Sequence, residues 1–180
     1  MLRPSAHTPA AAGANFVSKV DVSIVIAAPP ARVLRAFFDR GALGAWWQTL
    51  ASVTLPRPLG PYVVEWRPTD FRDDELGRLG GVLRGTVIQI DPGEGFFLAD
   101  VYWLPPDGDP IGPMALDVTV APAPPDPEHP VEGDRTTLRV LQTGFEDSSR
   151  WRRYYAVFGA GWERALGTLK GLLERCPCEL

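Results

Sequence analysis

Residues 151–173 have the sequence WRRYYAVFGAGWERALGTLKGLL, and they follow a long stretch whose patterns mostly indicate β-strands. Apolar residues recur here at steps of three and four, so a helix would carry one wide apolar stripe. At about 1.5 Å per residue this helix would be roughly 35 Å long, enough to cross a whole sheet. A strand-rich chain that ends in such a helix predicts a curved antiparallel sheet that grips it, with room for a ligand between them. The stripe consists of Trp151, Tyr154, Tyr155, Phe158, Trp162, Ala165, Leu166, Leu169, Leu172 and Leu173.

Length and composition indicate one globular domain. The chain has 180 residues, of which 45% are apolar and 22% charged, and this is enough to bury a core without disulfides or metals. The formal net charge of −4 and the lack of a basic stripe argue against nucleic-acid binding. We expect a flexible tail over residues 1–17, a single domain over 18–175 and a short tail over 176–180.

Several segment types are missing from the sequence. It has no run of about 18 apolar residues that could span a membrane, and its N-terminus lacks the apolar core of a signal peptide. Its two cysteines, Cys176 and Cys178, stand near the C-terminus, which excludes a disulfide framework and favours a reducing, cytoplasmic location. The abundance of Gly, Pro, Ala and Arg is compatible with a GC-rich, bacterial genome.

Alternation and turn-forming residues predict the element order β-α-α-β-β-β-β-β-α, which is an α+β fold with an antiparallel meander. Pro30 is suited to the first turn of a short helix, and a second short turn follows over 40–47. Residues 68–80 and the proline-rich residues 121–133 are expected to be loops. Strands are predicted at 20–26, 62–67, 81–90, 96–104, 113–120 and 135–143, with a further short one near 50–55.

Four blocks of sequence, in order, carry a family resemblance. They are IAAPPARVLRAFFDRGALGAWW (26–47), GTVIQIDPGEGFFLADVYW (85–103), TTLRVLQTGF (136–145) and YYAVFGAGWERALGTLKGLL (154–173). Together they resemble the Aha1-like (activator of Hsp90 ATPase homologue, AHSA1-type) branch of the START/Bet v 1 (SRPBCC) superfamily, from about Val20 to Leu173.

The resemblance implies a helix-grip fold with a hydrophobic cavity and two small helices that close one end. It does not imply one reaction, because the superfamily includes lipid carriers, cyclases, hormone receptors and chaperone-associated domains, and a shared fold is a poor guide to chemistry. Two features depart from the family pattern. Gln142 stands where the last strand often has a histidine, and the loop 121–133 is longer than expected.

Histidine is scarce, and this restricts the chemistry. The two histidines, His7 and His129, lie in the N-terminal tail and the proline-rich loop. His-dependent triads and His-ligated metal sites are therefore excluded from the core. The sequence has no phosphate loop, dinucleotide fingerprint or nucleophile elbow. We expect neither a metal nor a cofactor.

Two carboxylates are the candidate acids. Strict alternation places Asp100 on one strand face with Phe96 and Leu98, and matching the family block points that face toward the cavity. A carboxylate there would need a partner such as Arg84 or Gln142, and could anchor a ligand or act as a general acid or base. Alternatively, Asp100 forms a structural ion pair, or a one-residue shift places it in water. Glu65 is the second candidate, and alternation could equally place it outside.

Large aromatic residues are numerous, and a pocket wall favours rings with a few polar groups. We therefore predict binding of a small apolar or amphipathic molecule between the sheet and the last helix. The alternatives are a polyketide cyclase/aromatase-like or hydrolytic enzyme that uses Asp100 or Glu65, and an Hsp90-activator-like interaction module. A homodimer and a chaperone contact are further partner hypotheses. The predicted ligand-binding residues are Trp47, Trp66, Leu98, Asp100, Tyr102, Gln142, Tyr154, Phe158 and Trp162.

Overall fold

A curved antiparallel sheet wraps around one long helix in this protein, in the helix-grip arrangement that the sequence predicts. The computed structural model describes residues 19–124 and 134–175. The elements are β1 (Val20–Ile26), α1 (Pro30–Arg35), α2 (Arg40–Trp46), β2 (Ala51–Thr54), β3 (Pro61–Trp66), β4 (Arg72–Asp73), β5 (Gly77–Arg78), β6 (Gly81–Asp91), β7 (Gly95–Leu104), β8 (Ile111–Pro122), β9 (Thr136–Thr143) and α3 (Ser149–Arg175).

Seven strands form the main sheet in the order β1-β9-β8-β7-β6-β3-β2, and all neighbours are antiparallel. The predicted meander is therefore confirmed, including the short strand near 50–55. The loop predicted at 68–80 instead contains a small hairpin of β4 and β5. It folds there because Asp73 is buried and accepts hydrogen bonds from the backbone N–H groups of Glu75 and Leu76.

The helices begin where local chemistry allows. Pro30 stands at the first turn of α1, where a missing N–H costs nothing. The Asp39 carboxylate accepts a hydrogen bond of 2.7 Å from the backbone N–H of Ala42 and so caps α2. At the start of α3, the Ser148 hydroxyl accepts a hydrogen bond from the backbone N–H of Trp151.

The core lies between the concave face of the sheet and α3. The predicted stripe of α3 is buried along most of its length, with Leu166, Leu169 and Leu173 almost fully covered. At the C-terminal end, the Lys170 ammonium donates a hydrogen bond of 2.7 Å to the carbonyl of Val25, and the Glu174 carboxylate accepts one of 2.9 Å from the N–H of Ala27. These contacts fix the end of α3 beside β1.

A β-bulge in β7 overturns the strict alternation assumed for that strand. From Leu98 to Val101, β7 advances by three positions while β8 advances by two, from Leu116 to Met114, and the register against β6 shifts at the same place. Asp100, at the bulge, has a left-handed φ of 51° and is exposed. Phe96 and Leu98 therefore face the core before the bulge, whereas Val101 and Trp103 face it afterwards.

Gly85 opposes this bulge on β6. A Cβ at that position would lie 2.9 Å from Cγ2 of Val101, which is closer than real Cβ contacts. The absence of a side chain lets β7 approach β6 despite the extra residue.

Some sequence predictions fall outside the described ranges. They are the tails at 1–17 and 176–180, most of the proline-rich loop, both histidines and both cysteines. Along residues 19–124 and 134–175, no helix is both long and apolar enough to cross a bilayer.

Candidate functional site

An open groove lies at one end of the sheet, between the ends of β3, β6 and β7 and the middle of α3. Its volume is about 370 Å³. The segment after α2 forms a third wall. The groove is lined by Trp47, Gln48, Trp66, Arg67, Thr69, Gly80, Leu83, Trp103, Phe158, Gly161, Trp162 and Arg164.

Stacked aromatic rings form the walls of this groove. Trp47 is central, because its ring stacks on Trp46 at 4.9 Å and contacts Trp66 at 5.0 Å and Trp162 at 4.7 Å between centroids. On the other side, Trp103 meets Phe158 edge to face at 5.0 Å. Each ring is held by others, so the walls are preorganised.

Three of the four indole N–H groups at the groove are already bonded within the protein. The Trp66 indole donates a hydrogen bond of 2.8 Å to the carbonyl of Trp47, and the Trp103 indole donates one of 2.8 Å to the carbonyl of Gly80. The Trp162 indole donates a hydrogen bond of 3.0 Å to the side-chain oxygen of Gln142. These three indoles consequently offer a ligand their apolar surfaces rather than hydrogen-bond donors.

Gln142 does not line the groove; its buried side chain lies behind the wall and supports it. Its carboxamide is buried. The oxygen accepts a hydrogen bond from the Trp162 indole, and the nitrogen donates one of 2.8 Å to the hydroxyl of Tyr154. Because the indole can only donate, the amide orientation is fixed. Burial raises the pKa of Tyr154 well above its usual value, so its phenol stays neutral.

The structure divides the predicted binding residues into three groups. Four of them line the groove, namely Trp47, Trp66, Phe158 and Trp162. Three lie behind it in the core, namely Leu98, Gln142 and Tyr154.

The third group, Asp100 and Tyr102, lies on the outer face of the sheet, so the prediction that they face the cavity is wrong. The bulge at Asp100 reverses the alternation. The Arg84 guanidinium lies 4.9 Å from the Tyr102 ring centroid on this outer face, and both line an outer depression together with Asp100. Glu65 is also exposed, because Tyr62 and Val64 take the inward positions of β3.

The sequence patterns do not predict Trp103, Gln48, Arg67, Thr69 or Arg164 as site residues. Strict alternation places Trp103 on the strand face opposite Asp100, because a bulge has no strong sequence signal. Gly161 did offer a signal, since a glycine inside a long helix costs about 1 kcal/mol relative to alanine and needs a reason. A Cβ added there meets nothing within 4 Å, so Gly161 widens the groove.

Polar side chains stand at the rim of the groove, and they are Gln48, Arg67, Thr69 and Arg164. The Thr69 hydroxyl donates a hydrogen bond of 3.0 Å to the carbonyl of Phe71. No carboxylate is found among the described residues that line the groove. Within the same ranges, no group of three His, Cys, Asp or Glu side chains is arranged to hold a metal ion.

Comparison with known proteins shows which solved structures share this fold. No protein-family model matches this sequence, and the search of curated proteins found no significant match. Among solved structures, protein MLL2253 of Mesorhizobium loti is 24% identical, with a TM-score of 0.63 over 88% of this chain and 98% of that one. The Aha1 dimer of Colwellia psychrerythraea is 17% identical, with a TM-score of 0.56 over 88% and 97%. The AHSA1 protein of Silicibacter pomeroyi is 16% identical, with a TM-score of 0.56 over 86% and 96%.

These similarities cover nearly the whole of each solved chain, and two of the chains are Aha1 or AHSA1 proteins. The protein therefore has the fold of these Aha1 and AHSA1 structures, as the four sequence blocks predict. At these identities the similarity defines the fold and not the activity.

Proposed function

We propose that the protein binds a small apolar or amphipathic molecule in the groove between the sheet and α3. The observation that carries this proposal is an open groove of about 370 Å³ walled by tryptophan and phenylalanine rings. Ligand sites in proteins commonly have volumes of about 300–1,000 Å³ and mostly apolar walls with a few polar groups. The groove matches this description in size and in lining.

The fixed indole N–H groups support the same proposal. A ligand that enters the groove leaves the bonds from Trp66 to Trp47 and from Trp162 to Gln142 intact. Binding would therefore remove apolar ring surface from water without breaking hydrogen bonds, which is the favourable case for affinity. Preorganised walls also reduce the entropy lost on binding.

The enzyme alternative loses the residues on which it depended. Asp100 and Glu65 are exposed on the outer face of the sheet, where neither can transfer a proton to a molecule in the groove. Position alone argues against both carboxylates as groove acids.

The test is a fluorescence titration with N-phenyl-1-naphthylamine, an uncharged aromatic probe that brightens in apolar sites. We expect saturable binding by the wild-type protein and quenching of tryptophan emission, because four tryptophans line the groove. Native mass spectrometry of protein purified from its own host would then search for a co-purifying small molecule.

The matched variants are Gly161→Leu and Gly167→Leu. Both positions are helical glycines at which an added Cβ meets nothing within 4 Å, but only Gly161 lines the groove. We expect Gly161→Leu to weaken probe binding at least tenfold and Gly167→Leu to leave it unchanged. Equal affinity in the two variants, or no binding by the wild type, would overturn the proposal.

A further inference from the structure

We infer that the ligand of this groove is an aromatic acid whose anionic group is held by Arg67 and Arg164. This inference rests on the proposed function and adds the chemical class of the ligand. Arg67 follows β3 and Arg164 belongs to α3, so the two arginines line the groove from two different walls.

Both arginines are exposed, and within the described part of the chain neither has an internal partner. Among residues 19–124 and 134–175, neither guanidinium forms an ion pair or a side-chain hydrogen bond. Other arginines of the chain do have carboxylate partners: Arg139 binds Asp21 at 2.8 Å, and Arg153 binds Asp73 at 2.7 Å. The positive charges at the groove are therefore available to a ligand.

The surroundings strengthen the preference for an anion. A guanidinium presents several N–H donors in a planar fork that matches a carboxylate, sulfonate or phosphate. No acidic side chain of the described lining competes for these donors. Although the whole chain has a formal net charge of −4, the local charge of the rim is positive, and the apolar walls keep its field strong.

The walls define the rest of the ligand. Trp47 and Trp66 offer broad, flat surfaces, and aromatic rings prefer offset-stacked or edge-to-face partners. Gly161 lines the same groove, and a Cβ added there would meet nothing within 4 Å. A flat ring system that bears one acidic group would fill the apolar part and place its charge near the arginines.

The test compares two probes that share a ring system. 1-Anilinonaphthalene-8-sulfonate carries a sulfonate, and N-phenyl-1-naphthylamine is the same molecule without it. We expect the wild-type protein to bind the sulfonate at least tenfold more tightly in low salt. In 0.5 M NaCl this advantage should shrink, because ions screen exposed charges.

The variants Arg67→Gln and Arg164→Gln should each weaken sulfonate binding about fivefold and leave binding of the uncharged probe unchanged. The control is Arg84→Gln, which makes the same change of charge on the outer face of the sheet and should alter neither probe. Competition of the sulfonate probe by 2-naphthoate, 2-naphthalenesulfonate and 2-naphthyl phosphate would show which acidic group the rim prefers.

The outcomes separate this inference from the proposed function. If both probes bind equally well, or if neither groove arginine affects the sulfonate, the inference is wrong and the proposed function stands. If neither probe binds, both are wrong. Selective loss of sulfonate binding in Arg67→Gln and Arg164→Gln supports the inference.

Discussion

The side-chain amide of Gln142 connects β9 to two aromatic residues of α3. Its oxygen accepts the indole N–H of Trp162, and its nitrogen donates to the hydroxyl of Tyr154. All three side chains are buried, where an unpaired polar group costs about 1–3 kcal/mol. The network therefore fixes the ring of Trp162 that forms part of the groove wall.

Replacing Gln142 by leucine should lower the free energy of unfolding by about 2–4 kcal/mol. The substitution leaves the N–H of Trp162 and the hydroxyl of Tyr154 without their partner in the core. Urea denaturation measures the change. Tyr154→Phe is the milder control, since it removes one hydroxyl and leaves the bond to Trp162, so its cost should be about 1 kcal/mol. Equal costs for the two variants would contradict this account.

At the scale of elements, α3 serves two purposes along its length. Its C-terminal half packs Leu166, Leu169 and Leu173 into the core. Its middle turns bring Phe158, Gly161 and Trp162 to the groove. One amphipathic pattern thus encodes both core packing and a groove wall, and Gly161 marks a place where no side chain fills the space.

Gly161→Ala and Gly167→Ala should each raise the free energy of unfolding by about 0.5–1 kcal/mol. Alanine favours the helix, and the new methyl group meets nothing within 4 Å at either position. By contrast, Gly85→Ala should destabilise the protein, because its Cβ would press on Val101 at the bulge. Thermal and urea denaturation of the three variants test the signs. Destabilisation by Gly161→Ala would mean that the space above it is filled.

At the scale of the whole molecule, a small hairpin is attached to the start of α3. Asp73 on β4 accepts hydrogen bonds from the guanidinium of Arg153. The Ser149 hydroxyl donates a hydrogen bond of 2.9 Å to the carboxylate of Glu75. The hydrogen bonds from Arg153 hold the pKa of Asp73 below its usual value. These contacts tie a segment between β3 and β6 to the last helix.

The contribution of Asp73 to stability should depend on pH in one direction. Because its pKa is lower in the folded state, its contribution is fully present above the unfolded value of about 3.9 and is lost as the pH falls through the folded value. The difference in free energy of unfolding between the wild type and Asp73→Asn should therefore be constant from pH 7 to 5 and shrink below about pH 4. Urea denaturation across this range measures it, with the exposed neighbour Asp74→Asn as the control. A difference that grows in acid would contradict the prediction.

The architecture follows from the sequence alone, because apolar periodicity and turn-forming residues act over short stretches of the chain. The stripe from Trp151 to Leu173 specified the helix, Pro30 specified the start of α1, and alternation specified the strands. Four of the predicted binding residues, Trp47, Trp66, Phe158 and Trp162, line the groove, and they were suggested by their large rings together with the family resemblance.

Which polar groups reach the groove depends on the tertiary structure, through the bulge in β7 and the packing of distant elements. Because β7 contains one extra residue at the bulge, Asp100 lies on the outer face of the sheet and Trp103 lies on the inner face. Strand pairing and helix placement brought Arg67 and Arg164 to one groove, although 97 positions separate them in the sequence (164 − 67). Periodicity reports which face a residue takes within its own element, whereas bulges and the packing of distant elements depend on contacts that no local pattern contains.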